Sequence, residues 1–432
     1  MEKLLKTLTR TVAVECYANR YARRALREIE NAYREMLKEM VEYAVEHKVS
    51  QSTLHRVFYS RFRERYPWLP TRVIKGAYRD AVRRARNFRE LKKKGRAYTD
   101  KPEAKKVTVT YSDSQDWRIE DGIIKLKTHI GWIELHYGSH KQLHKYLYSG
   151  WKLAEELKFK LIGRKVIVYL AFTKHFEVEY DPRNAVAVDV NENNVTIAVF
   201  KSGVPAEVHR VETRLGEVVI AYAERRRRIA EGKSTKTREV RKKLKRLRER
   251  ERKLDILRKT ARLIEKLATE NKAVVVVGNI GERAKKAMES DKSAKLRHRI
   301  HQWSTSTLTK LLEEKPVHVV KVSERGSSTT DPFTGLRIKS YTPLMIRTAV
   351  KGSRRVKVVK LLLRVASVNG RALERDVVGA INIGLKHLNS DGRPVALGST
   401  GAHEVQVKLV SLHRSPTPLT ELQVFTDTIK YR

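Results

Sequence analysis

A single cysteine, Cys16, stands in this chain of 432 residues. One cysteine excludes an internal disulfide and any zinc site that needs several cysteines. No apolar run approaches the roughly 20 residues that a membrane-spanning helix requires. The first residues also lack an apolar stretch followed by a cleavage site, so we expect no signal peptide, no membrane partner and a cytoplasmic protein.

Acidic residues are scarce relative to basic ones, with 49 Asp and Glu against 92 Lys and Arg. The resulting net charge of +43 predicts a polyanionic partner, because each Lys or Arg placed on a phosphate releases condensed counterions. A solvated basic surface and a membrane-binding one are the alternatives. The basic residues spread over the whole chain, which favours nucleic acid and a location at the nucleoid. The richness in Val, Arg, Lys and Glu is typical of a thermophile.

Residues 17–103 show the apolar periodicity of helices, interrupted at Pro67 and Pro70. Thr71 is the expected N-cap of the helix that follows. The polar face of that helix is basic, which indicates either a solvated surface or a phosphate-binding one. Its candidate nucleic-acid-binding residues are Arg72, Lys75, Arg79, Arg83 and Arg86.

Residues 104–180 change to the period of two that is typical of strands. A hairpin is predicted between 158–162 and 165–172, with Gly163 and Arg164 at the turn. The pattern predicts a small β-rich domain, either a barrel or a sandwich.

The part of the chain from 181 to 388 alternates buried strands with helices. We predict two strands joined by an Asn-rich turn in 185–200, a long helical pattern in 222–270, a strand in 273–280, a helix in 293–314, a strand in 318–322, an irregular stretch in 323–355, a strand in 356–366 and a helix in 376–388. Residues 389–432 are predicted to be an extended tail. The long helical pattern carries further candidate nucleic-acid-binding residues, which are Arg226, Arg238, Lys242, Lys245, Arg248 and Arg252.

Two aspartates are the candidate catalytic residues. Asp189 lies within an apolar strand, where a carboxylate without a partner is costly, and Asp376 begins the helix of 376–388. Brought together, the two could hold Mg²⁺ or Mn²⁺, because such ions favour oxygen ligands and substrate phosphates. Taken singly, Asp189 could instead be a turn residue and Asp376 an N-cap.

Several segments together resemble the TnpB/OrfB family, which comprises RNA-guided nucleases encoded by insertion sequences and related to type V CRISPR effectors. AVAVDVNENNVTIAVF at 185–200 resembles the first RuvC motif, and ERDVVGAINI at 374–383 resembles the third, which places Asp189 and Asp376 at catalytic positions. RHRIHQWSTSTL at 297–308 and VSERGSS at 322–328 resemble the segments between them. The C-terminal segments resemble archaeal members. The likeness is strongest from residue 185 onward.

The resemblance implies a fold of the α/β class with added α and β domains, built on an RNase H-like (RuvC) core. Residues 1–16 would supply a strand of a β-barrel-like wedge domain, 17–103 a helical recognition lobe, 104–180 the rest of the wedge domain and 181–388 the core. The helical insertion at 222–270 would lie along an RNA–DNA heteroduplex. The implied partners are a guide RNA and double-stranded target DNA, with base pairing reading the sequence. The oligomeric state is left open.

The sequence departs from the family pattern in two places. Gly278 stands where the second RuvC motif carries a glutamate, so one of three carboxylates is missing. The segment 323–372 matches the family's zinc ribbon, but its four ligand positions carry Asp331, Thr334, Ala366 and Asn369. We therefore expect a metal-free ribbon without zinc.

The missing glutamate leaves the activity open. A displaced acid could replace it, either Glu282 or Glu324, and the convergence of parallel strand ends favours Glu324. The alternative for Glu324 is a solvated residue or an ion pair with Arg325. Three functions follow as hypotheses: an RNA-guided DNA endonuclease, a nuclease-inactive RNA-guided DNA binder or repressor, and a basic RNA- or DNA-binding protein without catalysis.

Overall fold

The computed structural model describes residues 1–104, 106–232, 237–279, 304–351, 356–368, 371–389, 406–411 and 417–422. The chain divides into two compact units. The first unit is Thr7–His175, and the second consists of Met1–Lys6 with Phe176–Arg432. Glu282 and residues 293–303, for which we made predictions above, lie outside the described residues.

The first unit contains helices that bury one apolar face each. They are α1 (Arg20–His47), α2 (Gln51–Arg65), α3 (Thr71–Lys93) and α4 (Lys141–Tyr148). The prolines separate α2 from α3 as predicted, but Thr71 was wrongly assigned as the N-cap. Thr71 is the first helical residue, because Pro70 takes the cap position and accepts a backbone hydrogen bond from Val73.

The strands of the first unit form two groups. In chain order they are β1 (Glu2–Cys16), β2 (Val109–Tyr111), β3 (Trp117–Glu120), β4 (Ile123–Thr128), β5 (Gly131–His136), β6 (Lys152–Ile162) and the beginning of β7 (Lys165–Val190). Strands β3, β4 and β5 form an antiparallel sheet of their own, while β1 and β6 pair with β7 and β2 pairs with β6. The predicted hairpin turn is confirmed, because β6 ends and β7 begins on either side of Gly163 and Arg164.

One apolar core joins the helices and the strands of this unit. It includes Tyr33 and Met36 from α1, Phe62 from α2, and Phe159 and Phe172 from β6 and β7. The helical lobe of 17–103 and the β-rich domain of 104–180 therefore share buried residues. Their division into separate domains and the barrel-like form remain predictions.

The second unit is built on a mixed sheet in the order β11–β10–β7–β8–β9–β15–β16. Its further strands are β8 (Asn194–Lys201), β9 (Val204–Glu212), β10 (Ala273–Asn279), β11 (Val319–Ser323), β15 (Gln406–Ser411) and β16 (Thr417–Leu422). Strand β10 runs parallel to both β7 and β11, whereas β8 is antiparallel to β7 and β9. The sequence did not predict β15, which extends the sheet by pairing in parallel with β9.

Helices cover both faces of this sheet. The helices of the second unit are α5 (Leu215–Ala230), α6 (Arg238–Arg246), α7 (Glu249–Glu270), α8 (Thr305–Glu313) and α9 (Arg375–Leu388). Helices α7 and α8 pack on one face, against Val186, Val188 and Val275. Helix α9 packs on the other, against Ala187 and Val276. Burial on both faces explains why these strands are continuously apolar.

The long helical pattern of 222–270 is not one continuous helix. Helix α5 ends at Ala230, and α7 begins anew after Arg248, whose φ of 52° is left-handed. Within this helical pattern, the apolar residues Val240, Leu257 and Ile264 are buried. The apolar spacing continues across the break, so the pattern gave no signal of it.

The segment predicted as a metal-free ribbon contains β12 (Thr342–Lys351), β13 (Val356–Val368) and β14 (Arg371–Glu374) in one antiparallel sheet. Residues 342–351 of the stretch predicted as irregular thus form the strand β12, which pairs with β13 over ten residues. Buried Asp331 accepts hydrogen bonds from the backbone of Phe333 (2.9 Å) and the hydroxyl of Thr334 (2.6 Å). Ala366 is buried in a small apolar cluster with Leu373. At three of the four positions where the family has zinc ligands, the side chains make hydrogen bonds or apolar contacts instead. The fourth position, Asn369, lies outside the described residues.

Within the described residues, no helix is long and apolar enough to cross a membrane.

Candidate active site

The site lies at the edge where β7, β10 and β11 end. Ala187, Val276 and Val322 face α9, and a strand alternates its side chains between faces. Two residues further along each strand stand Asp189 and Gly278, and Glu324 follows directly after β11. Because side chains alternate between the two faces of a strand, Asp189, Gly278 and Glu324 are all directed toward α9.

Asp189 is the most deeply enclosed acid of the site. One of its oxygens accepts a hydrogen bond from the amide of Asn191 at 3.0 Å. The backbone of α9 lies so close that a Cβ added to Gly379 would be 2.8 Å from Asp189 Oδ2. Burial raises the pKa of Asp189 well above its usual range, and the charges of Asp376 and Glu324 raise it further.

Asp376 lies in the first turn of α9, where Glu374 is the N-cap and accepts a hydrogen bond from the backbone of Val377 (2.9 Å). A buried arginine, Arg210 of β9, contacts both acids. Its Nη1 donates to Asp376 Oδ2 and to Glu374 Oε1, each at 3.1 Å, while its Nε donates to Glu212 at 2.8 Å. Asp376 is therefore both a catalytic candidate and the ion-pair partner of Arg210.

Arg210 and its acids form a buried charge cluster. Burial lowers the pKa of Arg210, but the charges of Glu374, Asp376 and Glu212 outweigh burial and raise it overall. Burial raises the pKa of Glu374, and the charge of Asp376 adds to the rise. Burial also raises the pKa of Glu212, against the opposing charge of Arg210. One guanidinium therefore compensates three carboxyl groups.

Two asparagines from the turn between β7 and β8 connect the aspartates. The Asn191 amide donates to Asp189 and also to Asn194 Oδ1, at 3.4 Å. The Asn194 amide in turn donates to Asp376 Oδ2 at 3.0 Å. The Asn-rich turn of the sequence thus fixes the orientation of both catalytic candidates.

Glu324 occupies the space above Gly278. Gly278 lies on β10 in register with Val322 of the parallel strand β11, and Glu324 follows directly after β11. A Cβ added to Gly278 would lie 2.8 Å from Cδ of Glu324 and closer still to Oε1 and Cγ. The space beside residue 278 that glycine leaves open is therefore filled by a carboxylate from the next strand.

Two side chains of α9 hold the loop that carries Glu324. Lys386 donates to the carbonyl oxygens of Ser323 (2.9 Å) and Arg325. Asn382 is fully buried and donates to the carbonyl oxygens of Ser327 (2.6 Å) and Thr330 (2.7 Å). The loop is thus tied to the same helix that presents Asp376.

The residues fit a hard divalent cation by their chemistry, because Asp189, Asp376 and Glu324 offer oxygen donors around a buried, negatively charged space. Burial and the charges of Asp376 and Glu324 raise the pKa of Asp189, so a cation placed beside it would favour its ionised form. Within the part of the chain described, no three Asp, Glu, His or Cys side chains already form a metal-binding group. Arg210 and Asn194 both donate to Oδ2 of Asp376, and Arg210 also pairs with Glu374 and Glu212.

Sequence reasoning predicted Asp189, Asp376 and Glu324 but missed the residues that surround them. Arg210 is two residues after Val208, which faces α9, so strand periodicity alone would have placed the arginine toward the site. In β8, Ala198 faces α9, and Asn194 is four residues before it, so the same periodicity would have placed Asn194 toward the site. Lys386 and Asn382 carried no such signal, because a polar residue in a helix is ordinarily solvated.

The basic residues predicted on α3 mostly contact acids of their own unit. Arg72 lies 3.8 Å from Asp116, Arg79 3.2 Å from Glu156, Arg83 2.7 Å from Asp80 and Arg86 3.4 Å from Glu90, while Lys75 is exposed. A role for them in binding nucleic acid remains a prediction.

The basic residues predicted in the helical insertion are mostly at the surface. Arg238, Lys242, Lys245 and Arg252 are exposed, as is Arg248, which lies 3.6 Å from Glu251. Arg226 pairs with Glu249. Their binding role also remains a prediction.

Comparison with known proteins gives three findings. Residues 29–127 match the model of the uncharacterized protein MJ0013 family. The uncharacterized protein MJ0857 of Methanocaldococcus jannaschii is 26% identical over 193 residues, which is 40% of this chain and 69% of that protein. Among solved structures, Cas12f1 in a complex with sgRNA and target DNA matches with a TM-score of 0.53 at 12% identity, over 89% of this chain and 99% of that one. This likeness shows that the chain shares its fold with Cas12f1.

A second solved structure, Cas12i1 in an R-loop complex after target DNA cleavage, covers 85% of this chain and 66% of that one. Its TM-score is 0.40 at 9% identity.

Proposed function

We propose that the chain is an RNA-guided, metal-dependent DNA endonuclease of the TnpB type, in which Glu324 replaces the carboxylate missing at Gly278. The observation that carries the proposal is the position of Glu324, whose carboxylate lies over the Gly278 backbone and whose charge acts on Asp189. A solvated or unrelated glutamate would have no reason to fill that space. The metal-dependent part of the proposal rests on these three acids.

Asp189, Asp376 and Glu324 would hold Mg²⁺ or Mn²⁺, which supplies charge neutralisation at a phosphodiester and a water nucleophile of lowered pKa. The protein's own contribution is orientation. Asn191 and Asn194 fix the two aspartates, while Lys386 fixes the loop of Glu324. The backbone of α9 packs close to Asp189, which limits the access of water to this carboxylate and strengthens its attraction for cations.

The RNA-guided part of the proposal rests on three supports. The net charge of +43 suits phosphate backbones. The motifs at 185–200 and 374–383 resemble the TnpB family. The fold resembles that of Cas12f1, whose structure is a complex with sgRNA and target DNA. Within this proposal, residues 1–16 and 104–180 form the wedge domain and 17–103 the recognition lobe.

One observation favours the second candidate, a nuclease-inactive RNA-guided binder. Arg210 already places positive charge on Asp376 Oδ2. A guanidinium in that position weakens the attraction of Asp376 for a metal ion. The two candidates differ only in cleavage, so a cleavage assay with matched variants separates them.

The test is a reciprocal exchange of the two positions. The purified ribonucleoprotein is incubated with Mg²⁺ and a DNA target matched to its bound RNA. We expect Glu324→Ala to reduce cleavage by about 100-fold or more, because losing a metal-binding carboxylate costs several kcal/mol in the transition state. Gly278→Glu alone should also be impaired, since its side chain collides with Glu324.

Gly278→Glu combined with Glu324→Ala should recover cleavage, because the carboxylate returns to the same space from the other strand. Glu313→Ala on α8 is the control for loss of an exposed acid. Wild-type target binding without cleavage in Mg²⁺ or Mn²⁺ would instead establish the inactive binder. Equal cleavage by Glu324→Ala and the wild type would refute the role of Glu324.

The third candidate, a basic nucleic-acid-binding protein without a guide, is separated by sequencing the RNA that copurifies. A discrete RNA supports guided binding. A random mixture of cellular RNA supports the third candidate.

A further inference from the structure

The first two turns of α1 carry an arginine cluster that the function proposed above does not use. Arg20, Arg23, Arg24 and Arg27 line a surface groove of about 400 Å³ in the first unit, together with Glu28, Asn31 and Gly163. These arginines were not among the predicted nucleic-acid-binding residues. We call this surface the α1 groove.

The cluster is unfavourable for the helix itself. Arg20 and Arg24 are four residues apart, as are Arg23 and Arg27, and like charges at that spacing repel on a helix surface. Cations near a helix N-terminus also oppose the helix dipole, and the first turn of α1 has no acidic residue to offset them. Helix stability therefore does not explain the arginines.

Acids of the first unit compensate little of this charge. Glu28 is the one carboxylate that lines the groove, and it is shared between Arg24 at 3.0 Å and His129 at 2.8 Å. Among the described residues, Arg20 and Arg27 make no ion pair, and Arg23 contacts only the backbone oxygen of Asn19 (3.4 Å). On α3, by contrast, arginines such as Arg79 and Arg83 contact acids.

Two exposed tyrosines lie near the arginines along the chain, and Tyr21 is three residues before Arg24, a spacing that makes these two neighbours on the helix surface. Tyr17 is 60% exposed just before α1, and Tyr21 is 76% exposed on its first turn, one residue from Arg20. Exposure of these aromatic rings to water does not stabilise the fold. An aromatic platform beside arginines is the arrangement on which unpaired bases stack while phosphates contact cations.

We propose that the α1 groove binds an unpaired stretch of nucleic acid, with its phosphates on Arg20, Arg23 and Arg27 and its bases on Tyr17 and Tyr21. This inference deepens the proposed function and rests on its claim that the chain binds nucleic acid. The strand could be RNA or DNA, since both present the same phosphates and base faces. A duplex fits less well, because its bases are stacked on one another and not free for the tyrosines.

The experiment measures binding of the full-length protein to three labelled probes by fluorescence anisotropy. The probes are oligouridylate RNA, oligothymidylate DNA and a hairpin duplex. The test variant is Arg20→Ala, Arg23→Ala and Arg27→Ala combined. The matched variant, called the paired-arginine variant, removes three arginines of the first unit that contact acids and were not predicted to bind nucleic acid, namely Arg34→Ala, Arg61→Ala and Arg65→Ala.

We expect the α1 variant to weaken binding of at least one single strand roughly tenfold to hundredfold, since charge-assisted contacts to phosphate are among the strong ones. Its salt dependence should fall by about 2 in slope, at about 0.7 for each of three lost phosphate contacts on a single strand. The paired-arginine variant should lose less than about threefold, because its arginines already contact Glu30 or Glu39. A preference for the RNA or the DNA strand identifies the source.

Removing the arginines should leave the protein folded, because alanine favours helix and the repulsion is relieved. An unchanged or higher melting temperature with weaker binding therefore supports the proposal. Tyr17→Ala and Tyr21→Ala together should weaken single-strand binding about tenfold or more without changing the salt slope. Tyr148→Ala, an exposed tyrosine on α4, is the control.

Equal losses from the α1 variant and the paired-arginine variant would overturn the inference, since they would reflect only total charge. So would an α1 variant that binds single strands as the wild type does, or one that loses only duplex binding. If the wild type binds none of the probes, the proposed function fails together with the inference. If the wild type binds and the α1 variant is unaffected, only the inference fails.

Discussion

Asp189 and Asp376 share one site, yet their surroundings differ. Asp376 accepts a hydrogen bond from the guanidinium of Arg210, which also contacts Glu374 and Glu212. Asp189 accepts one from the neutral amide of Asn191 and faces the charge of Glu324. One half of the site is therefore compensated by the protein itself. In the other half, burial and the charges of Asp376 and Glu324 raise the pKa of Asp189, and the charge of Arg375 offsets only part of the rise.

The difference indicates where an external cation would bind most strongly. An ion placed between Asp189 and Glu324 relieves repulsion between them, whereas one placed on Asp376 competes with Arg210. The half of the site that contains Asp189 and Glu324 is thus arranged for metal binding at a cost to stability. The second half is arranged for stability and orientation.

The largest effect should come from removing Arg210, the cation that compensates the acids around Asp376. Arg210→Met leaves the carboxyl groups of Glu212, Glu374 and Asp376 buried without their partner, which should cost about 3–5 kcal/mol of unfolding free energy. Urea unfolding in EDTA measures this cost. Arg210→Lys should lose less, because it keeps the charge but not the planar fork of donors. Wild-type stability in Arg210→Met would remove the contrast between the halves.

A smaller effect of opposite sign is expected in the other half. The pKa of Asp189 is raised in the folded protein, so its ionised form destabilises the fold wherever the unfolded chain is ionised. Asp189→Asn should therefore stabilise the metal-free protein at pH 7 by on the order of 1 kcal/mol. The gain should shrink as the pH falls toward 3.8, the ordinary value for aspartate.

Thermal melting with and without Mg²⁺ checks this prediction. Mg²⁺ should raise the melting temperature of the wild type more than that of Asp189→Asn, since a ligand stabilises only the state that binds it. Destabilisation by Asp189→Asn at pH 7 in EDTA would show that Asp189 is already compensated.

The smallest expected effect is the coupling between the halves. In a double-mutant cycle, Asp189→Asn should relieve part of the penalty of Arg210→Met, because it lowers the negative charge that Arg210 no longer offsets. We expect a coupling of about 0.5–1 kcal/mol. Unfolding measurements on the four proteins give this value. Additive effects would mean that the asparagine bridge carries no electrostatic coupling between the two aspartates.

The sequence predicted the acids of this site because each lies at the end of a strongly patterned element. Asp189 ends an apolar strand, Glu324 follows one, and Asp376 begins an amphipathic helix. Arg210 was missed because its strand was not recognised as part of the sheet. Strand β9 lies between elements of clear pattern and contains as many polar as apolar residues.

Other differences have a different origin. The break at Arg248 interrupts a helical pattern whose apolar spacing continues across it, so only the backbone conformation reveals it. Strand β15 pairs with β9, about 200 residues earlier in the chain, and its hydrogen bonds are with a segment that local pattern cannot identify. Long-range pairings of this kind are set by the sheet and not by the strand's own residues.

The contact between Gly278 and Glu324 constrains how this catalytic set could have arisen or could be redesigned. The space admits one side chain, from one strand or from its neighbour, because a Cβ at 278 already intrudes on Glu324. A lineage or a protein engineer changing one residue at a time must therefore pass through a form with either a collision or an absent acid. Relocating the acid is a paired exchange, and libraries that vary either position alone would miss it.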